Sequence, residues 1–171
     1  MLRPQDLVIL LRLLTGERPA SQWGQNELAR AIGVSQAEVH NALKRAAESG
    51  LYEPHGKKVM RKALLELLVH GVKYIFPARL GSPSRGIATA WAAPPLSEKI
   101  SAGASGQQPV WAHPDGNVRG SAVEPLYKTV PNVALHDAEM HELLALVDAI
   151  RLGRARERRL AEKLLEKRLG A

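Results

Sequence analysis

Apolar residues recur at helical spacing over the first fourteen positions, where Leu7, Leu10, Leu11 and Leu14 share one face of "PQDLVILLRLL". Pro4 at its start and Asp6 in its first turn suit a helix N-terminus. "TGERPASQWG" breaks the pattern with turn residues. A further helix is predicted over 61–70, with Leu64, Leu67 and Leu68 inward. At residues 72–76 the spacing changes: Val72, Tyr74 and Phe76 alternate with Lys73 and Ile75, the period of a strand. "RLGSPSRG" then reads as a turn-rich tip and "IATAW" as the returning strand. Residues 97–121 read as loop, with room for one short hairpin around "HPDGNV". The last stretch, 136–169, is helical, with Leu143, Leu144, Val147, Ile150, Leu160, Leu164 and Leu165 as its apolar set and Gly153 as a break.

The most specific pattern lies between these, in "NELARAIGVSQAEVHNALKRAAESGL". Gly33 stands where a chain turns between two helices, and Ala29, four residues before it, is small enough for a close helix crossing. Leu28, Ile32, Val34, Val39, Ala42 and Leu43 form the inward face. Ser35 and Glu38 have the spacing of a capping box. Gly24 before Glu27 is a weaker cap, and Gly50 suits a helix C-terminus.

This stretch resembles the helix-turn-helix of winged-helix transcriptional regulators, MarR-like proteins especially, over roughly residues 5–60. The resemblance implies that the second helix enters the major groove of double-stranded DNA, presenting Ser35, Gln36, Ala37, His40, Asn41 and Lys44. Gln36 and Asn41 have the amide geometry to pair with adenine, each such pair discriminating by about 1–3 kcal/mol. Ala37 suits a thymine methyl, and Lys44 and Arg45 suit phosphates. The family also carries a β-hairpin wing after this helix. Here only "LYEPHGKKVMRK" is available, so a wing with Lys57 and Lys58 at its tip has strands of a few residues. A longer hairpin is expected later, with Arg79 and Arg85 around "LGSPS", there to meet phosphates or a narrow minor groove, or else only solvent. A polar outer face is also what any soluble three-helix bundle needs, so a scaffold or protein-docking role stays open.

Composition narrows the picture. There are no cysteines, which excludes disulfides and thiolate metal sites and suits a reducing interior. Apolar runs such as "LVILL" are too short for a membrane span, and the N-terminus has no cleavage pattern. The cytoplasm is the expected address. The net charge of +7 suits a polyanion, but the first 60 residues hold eight basic against six acidic side chains, while residues 61–100 hold six against two. The excess follows the quoted stretch.

Catalysis finds little footing. The six histidines are scattered, and His136 and His141 are five apart, off the i,i+4 spacing of two helical ligands. No phosphate-binding loop or nucleophile elbow is present. Asp137, Glu139 and Glu142 suit an acidic first helical turn. No cofactor or metal is expected. "IATAWAAPPL" is the one stretch apolar enough to suggest an effector pocket. Arg151, Arg154 and Arg158 form either a DNA-contacting stripe or a solvated face. Leu143, Leu144, Val147 and Ile150 fit a dimer interface or an intrachain core equally.

The expected architecture is mainly α: a winged-helix-like domain over 1–71, a hairpin and loop region over 72–135, and helices over 136–171. The expected function is a homodimeric, sequence-specific DNA-binding transcriptional regulator, acting as a repressor by covering a promoter. The rival is an antitoxin-like adaptor that holds a protein partner through residues 72–171.

Overall fold

The computed structural model describes residues 1–100 and 108–170; Ala171 and the part of the expected loop over 101–107 lie outside the described residues. Three helices open the chain: α1 (Pro4–Leu13), α2 (Gln25–Ile32) and α3 (Gln36–Glu48). Gly33 takes φ +77° between α2 and α3, a conformation a side chain disfavours, and Ala29, Leu28, Ile32 and Val39 are buried beneath the crossing. Ser35 caps α3, its Oγ accepting from the Glu38 amide at 3.1 Å. The reciprocal half of the expected capping box is absent. The Glu38 carboxylate turns away to Gln5 and Arg45 instead.

A two-stranded antiparallel hairpin follows, β1 (Tyr52–Glu53) and β2 (Lys58–Val59), and then α4 (Arg61–His70). Residues 72–76, expected as a strand, form instead a single helical turn, α5 (Val72–Ile75). Gly71 stays in the helical region, and the Tyr74 and Ile75 amides bond to its carbonyl at 3.0 and 3.1 Å. Five alternating residues cover little more than one helical turn, and Val72, Ile75 and Phe76 also fit i, i+3, i+4. Tertiary packing decided: Val72 is buried, while Tyr74 and Ile75 are exposed.

The rest of that expected hairpin, a tip over 79–86 and a returning strand over 87–91, is corrected more deeply. "LGSPSRGIA" is one continuous strand, β3 (Leu80–Ala88), and "AWA" is a 3₁₀ turn. β3 pairs antiparallel on one edge with β4 (Pro109–Ala112) and on the other with β5 (Val118–Val123), and β4 meets β5 in parallel, closing a three-stranded barrel. "HPDGN" therefore links two parallel strands and makes no hairpin. Its glycines explain how so small a barrel closes. A Cβ on Gly86 would stand 1.9 Å from the Trp111 carbonyl oxygen, one on Gly116 2.2 Å from the Gly86 backbone, and one on Gly120 2.0 Å from the Gln108 carbonyl oxygen. What the sequence spells as turn residues serves here as backbone-to-backbone approach.

The chain ends in α6 (Val130–His136), α7 (Ala138–Leu152) and α8 (Ala155–Leu169), with Gly153 at φ +79° separating the last two. The architecture is thus mainly helical, as expected. One apolar core runs from Leu7 through Leu96 and Trp111 to Leu169, joining all three expected regions. Leu143, Leu144, Val147 and Ile150 are at most 3% exposed, so they belong to this intrachain core and are not free to meet a second subunit. Ala90, Trp91, Ala93 and Leu96 of "IATAWAAPPL" are likewise core residues.

Asp148 and Arg151 of α7 form a buried polar centre. Asp148 accepts from Thr89 Oγ1, Trp111 Nε1 and Arg151 Nη1, each at 2.7 Å. Burial pushes its carboxyl up, opposed by the Arg151 charge and these hydrogen bonds. Arg151 also donates to the Phe76 and Glu124 carbonyls, tying α5 and β5 to α7. It is therefore not part of a surface stripe. Arg154 stacks over Trp91 at 4.6 Å and Arg158 pairs with Glu162 at 3.7 Å. Among the described residues no helix is long and apolar enough to cross a membrane.

Candidate nucleic-acid interface

The outer face of α3 follows directly from helical spacing. With Val39, Ala42 and Ala46 buried, the opposite stripe presents Gln36, Ala37, His40, Asn41 and Lys44 to solvent, with Ser35 exposed at the cap. Beside it runs a groove of about 480 Å³ between α3 and the hairpin, lined by His40, Leu43, Lys44, Ala47 and Glu48 on one side and Tyr52, Pro54 and Lys57 on the other. Lys57 and Lys58 are both exposed. Lys57 adopts φ +51° at the hairpin turn, where Glu53 accepts from the His55 and Gly56 amides at 2.7 and 2.6 Å. Those two amides hold the Glu53 carboxyl below its ordinary value. Its charge is thereby tied into the turn. Burial raises the Tyr52 hydroxyl, with the Glu53 charge adding to it.

Arg45 is not among the groups facing outward. Its guanidinium reaches under α3 to α1, where Nε and Nη2 donate to Asp6 at 2.9 and 2.7 Å, and Nη2 donates to Glu38 at 2.5 Å. The Asp6 bonds above all, with Glu38 adding to them, keep it protonated far above the ordinary range. Burial pushes the Glu38 carboxyl up, but the Arg45 and Gln5 hydrogen bonds and the Arg45 charge outweigh this and leave it lowered. Arg45 is thus a strut that fixes α3 on α1, and its expected phosphate contact is corrected. The charge was visible in the sequence; its partner 39 residues away was not.

Arg79 and Arg85 do not bracket a hairpin tip. Arg79 precedes β3, and Arg85 sits within β3 directly opposite Arg119 of β5. Arg85 belongs to the barrel and Arg79 to the segment leading into it, and neither lines the α3 groove. The acidic cluster has structural work to do: Asp137 caps α7 through the Met140 amide at 3.0 Å, Glu139 accepts from the Gly16 amide at 2.8 Å, and Glu142 pairs with Arg168. His141 meets the Ala88 carbonyl at 2.7 Å. No group of three or more metal-ligating side chains comes together among the described residues.

The chain matches no family model, and no curated protein or solved structure is detectably similar to it.

Proposed function

We infer that the protein is a sequence-specific DNA-binding regulator that reads duplex DNA with α3 and grips its backbone with Lys44, Lys57 and Lys58. The observation that carries this reading is the exposed stripe Gln36, Ala37, His40, Asn41 and Lys44, flanked by a groove whose far wall is the lysine-bearing hairpin. Two amides and a methyl on one helix face are the chemistry of base-edge contact. The lysines around them are the chemistry of phosphate contact. Three helices followed by a short hairpin, with a glycine at φ +77° between the second and third, support the resemblance to winged-helix regulators on which the reading rests. By this reading the protein acts as a homodimeric repressor in the cytoplasm, blocking a promoter by occupancy.

The test is binding to duplex DNA from upstream of the protein's own coding sequence, compared between wild type and Gln36→Ala/Asn41→Ala. Specific binding that the double substitution abolishes, with the circular dichroism unchanged, is the expected result. Binding that ignores sequence, or survives the substitution, sinks it.

One observation favours a second reading, in which residues 72–171 hold a protein partner in the manner of an antitoxin. Arg85 and Arg119 face each other across paired strands, exposed and without a side-chain partner among the described residues. Like charges placed so are unfavourable, and an acidic protein surface would relieve them. A stable complex that Arg85→Glu/Arg119→Glu disrupts is what this reading expects.

A further inference from the structure

α8 packs beside α4, and the two helices leave between them a groove of about 510 Å³. Its floor is apolar, built by Leu65 and Val69, which are only half-buried within the chain. Besides His70, its rim carries equal numbers of fixed charges of each sign: Lys62, Arg159 and Lys163 against Glu66, Glu162 and Glu166. The side chains of five of these six have no ion-pair or hydrogen-bond partner among the described residues. Glu162 meets only Arg158, at 3.7 Å.

The order of the charges on α8 says what kind of surface would fit. Arg159, Glu162, Lys163 and Glu166 stand at i, i+3, i+4 and i+7, on one helix face. Read forwards, their signs are plus, minus, plus, minus. Read backwards, every sign is reversed. A face with that property is complementary to itself in antiparallel array. About a two-fold axis midway between residues 162 and 163, Arg159 stands opposite the second copy's Glu166, and Glu162 opposite its Lys163, each pair occurring twice. This is the isologous arrangement of a two-fold dimer. Nucleic acid would meet three glutamates for three cations and gain no net attraction, and any partner of one dominant charge would find half of this rim unfavourable. The methylene stems of the second copy's Arg159 and Lys163 would cover Leu65 and Val69.

We propose that this chain forms a two-fold homodimer through the outer face of α8 and the groove α8 makes with α4. The dimer supplies the second reading helix that a two-fold DNA site calls for. It is argued from α8 alone, so a mass measurement tests it without DNA.

Sedimentation equilibrium of the full chain at micromolar concentration should give about twice 18.6 kDa. Arg159→Glu sets like charges together at both symmetric positions and should weaken the dimer at least about tenfold. Arg159→Glu/Glu166→Arg exchanges the signs and should restore affinity to within about threefold of wild type. Both changes lie on an exposed helix face, and circular dichroism checks that the helices persist. A wild-type chain that stays at 18.6 kDa overturns the proposal, as does a dimer indifferent to Arg159→Glu or a folded double variant that fails to recover. A dimer that behaves as described but ignores DNA sinks the DNA reading alone.

Discussion

Arg45 on α3 and Asp6 on α1, 39 residues apart in the chain, meet through two hydrogen bonds of 2.9 and 2.7 Å. Asp6 has no exposed side-chain surface and Arg45 little. The Arg3 amide fills a further acceptor site on the carboxylate at 2.9 Å. The stripe proposed to touch DNA is therefore held from behind by a buried charge pair.

Removing one partner of that pair should cost far more than exchanging both. Arg45→Ala strands a buried carboxylate and is expected to cost about 3 kcal/mol in urea unfolding. Asp6→Leu/Arg45→Met should recover most of that loss. Equal stability of single and double variants would show that the pair does not act as a unit.

Glu38 sets an acid limit on the same strut. Its carboxyl is lowered from 4.5 in the folded chain. Its contribution is thus fully present above that value and is lost as pH falls through the lower folded value. Melting temperatures measured from neutral pH downward should fall less steeply for Glu38→Gln than for wild type below about pH 4.5. Parallel curves would remove Glu38 from the account.

The buried centre on α7 should be as sensitive. Asp148→Ala leaves Arg151 uncompensated and orphans the Trp111 indole N–H, so a loss of about 3–5 kcal/mol is expected by chemical denaturation. A loss below about 1 kcal/mol would mean water or a neighbour replaces the carboxylate.

Gly86→Ala tests the barrel. Its Cβ would fall 1.9 Å from the Trp111 carbonyl oxygen, and the atoms nearest it are all β4 backbone with no flexible side chain to give way. Destabilisation of about 3 kcal/mol or more is expected, against less than about 0.5 kcal/mol for Arg119→Ala on the outer face. Equal effects would place the two residues in the same kind of environment and refute the packing described.

Salt dependence separates the roles on the proposed DNA face. Lys44→Ala and Lys57→Ala should each reduce the log–log salt slope of binding by about 0.9. Gln36→Ala should leave the slope alone and relax sequence preference. A slope change with Gln36→Ala would place that side chain on the backbone and not on a base.

Legibility followed the range of the interactions. The turn at Gly33, the crossing at Ala29, the α3 face and the break at Gly153 are set by neighbours within a few residues, and all could be read from spacing. Residues 72–76 misled because so short a segment fits both periods, and burial of Val72 settles the choice. β3 misled because Gly81, Pro83 and Gly86 are turn residues by habit, whereas here they lie within a strand: Gly81 falls at an irregularity in its register, and Pro83 and Gly86 pair with residues beyond 108. The inward fate of Arg45 and Arg151 was hidden for the same reason. A cation announces its charge but not which carboxylate it will find. Nor did the sequence choose between dimer face and core for Leu143 and Leu144, since an apolar stripe looks the same for both.

The barrel is closed by three glycines whose backbones touch the strands around them. It is therefore held by what those positions lack, and the residues on its outside carry none of that load. Arg85 and Arg119 stand on that outside with no side-chain partner among the described residues, so substituting them should leave the strand contacts in place. In the partner-holding reading proposed above, it is from there that two arginines set face to face would meet an acidic surface.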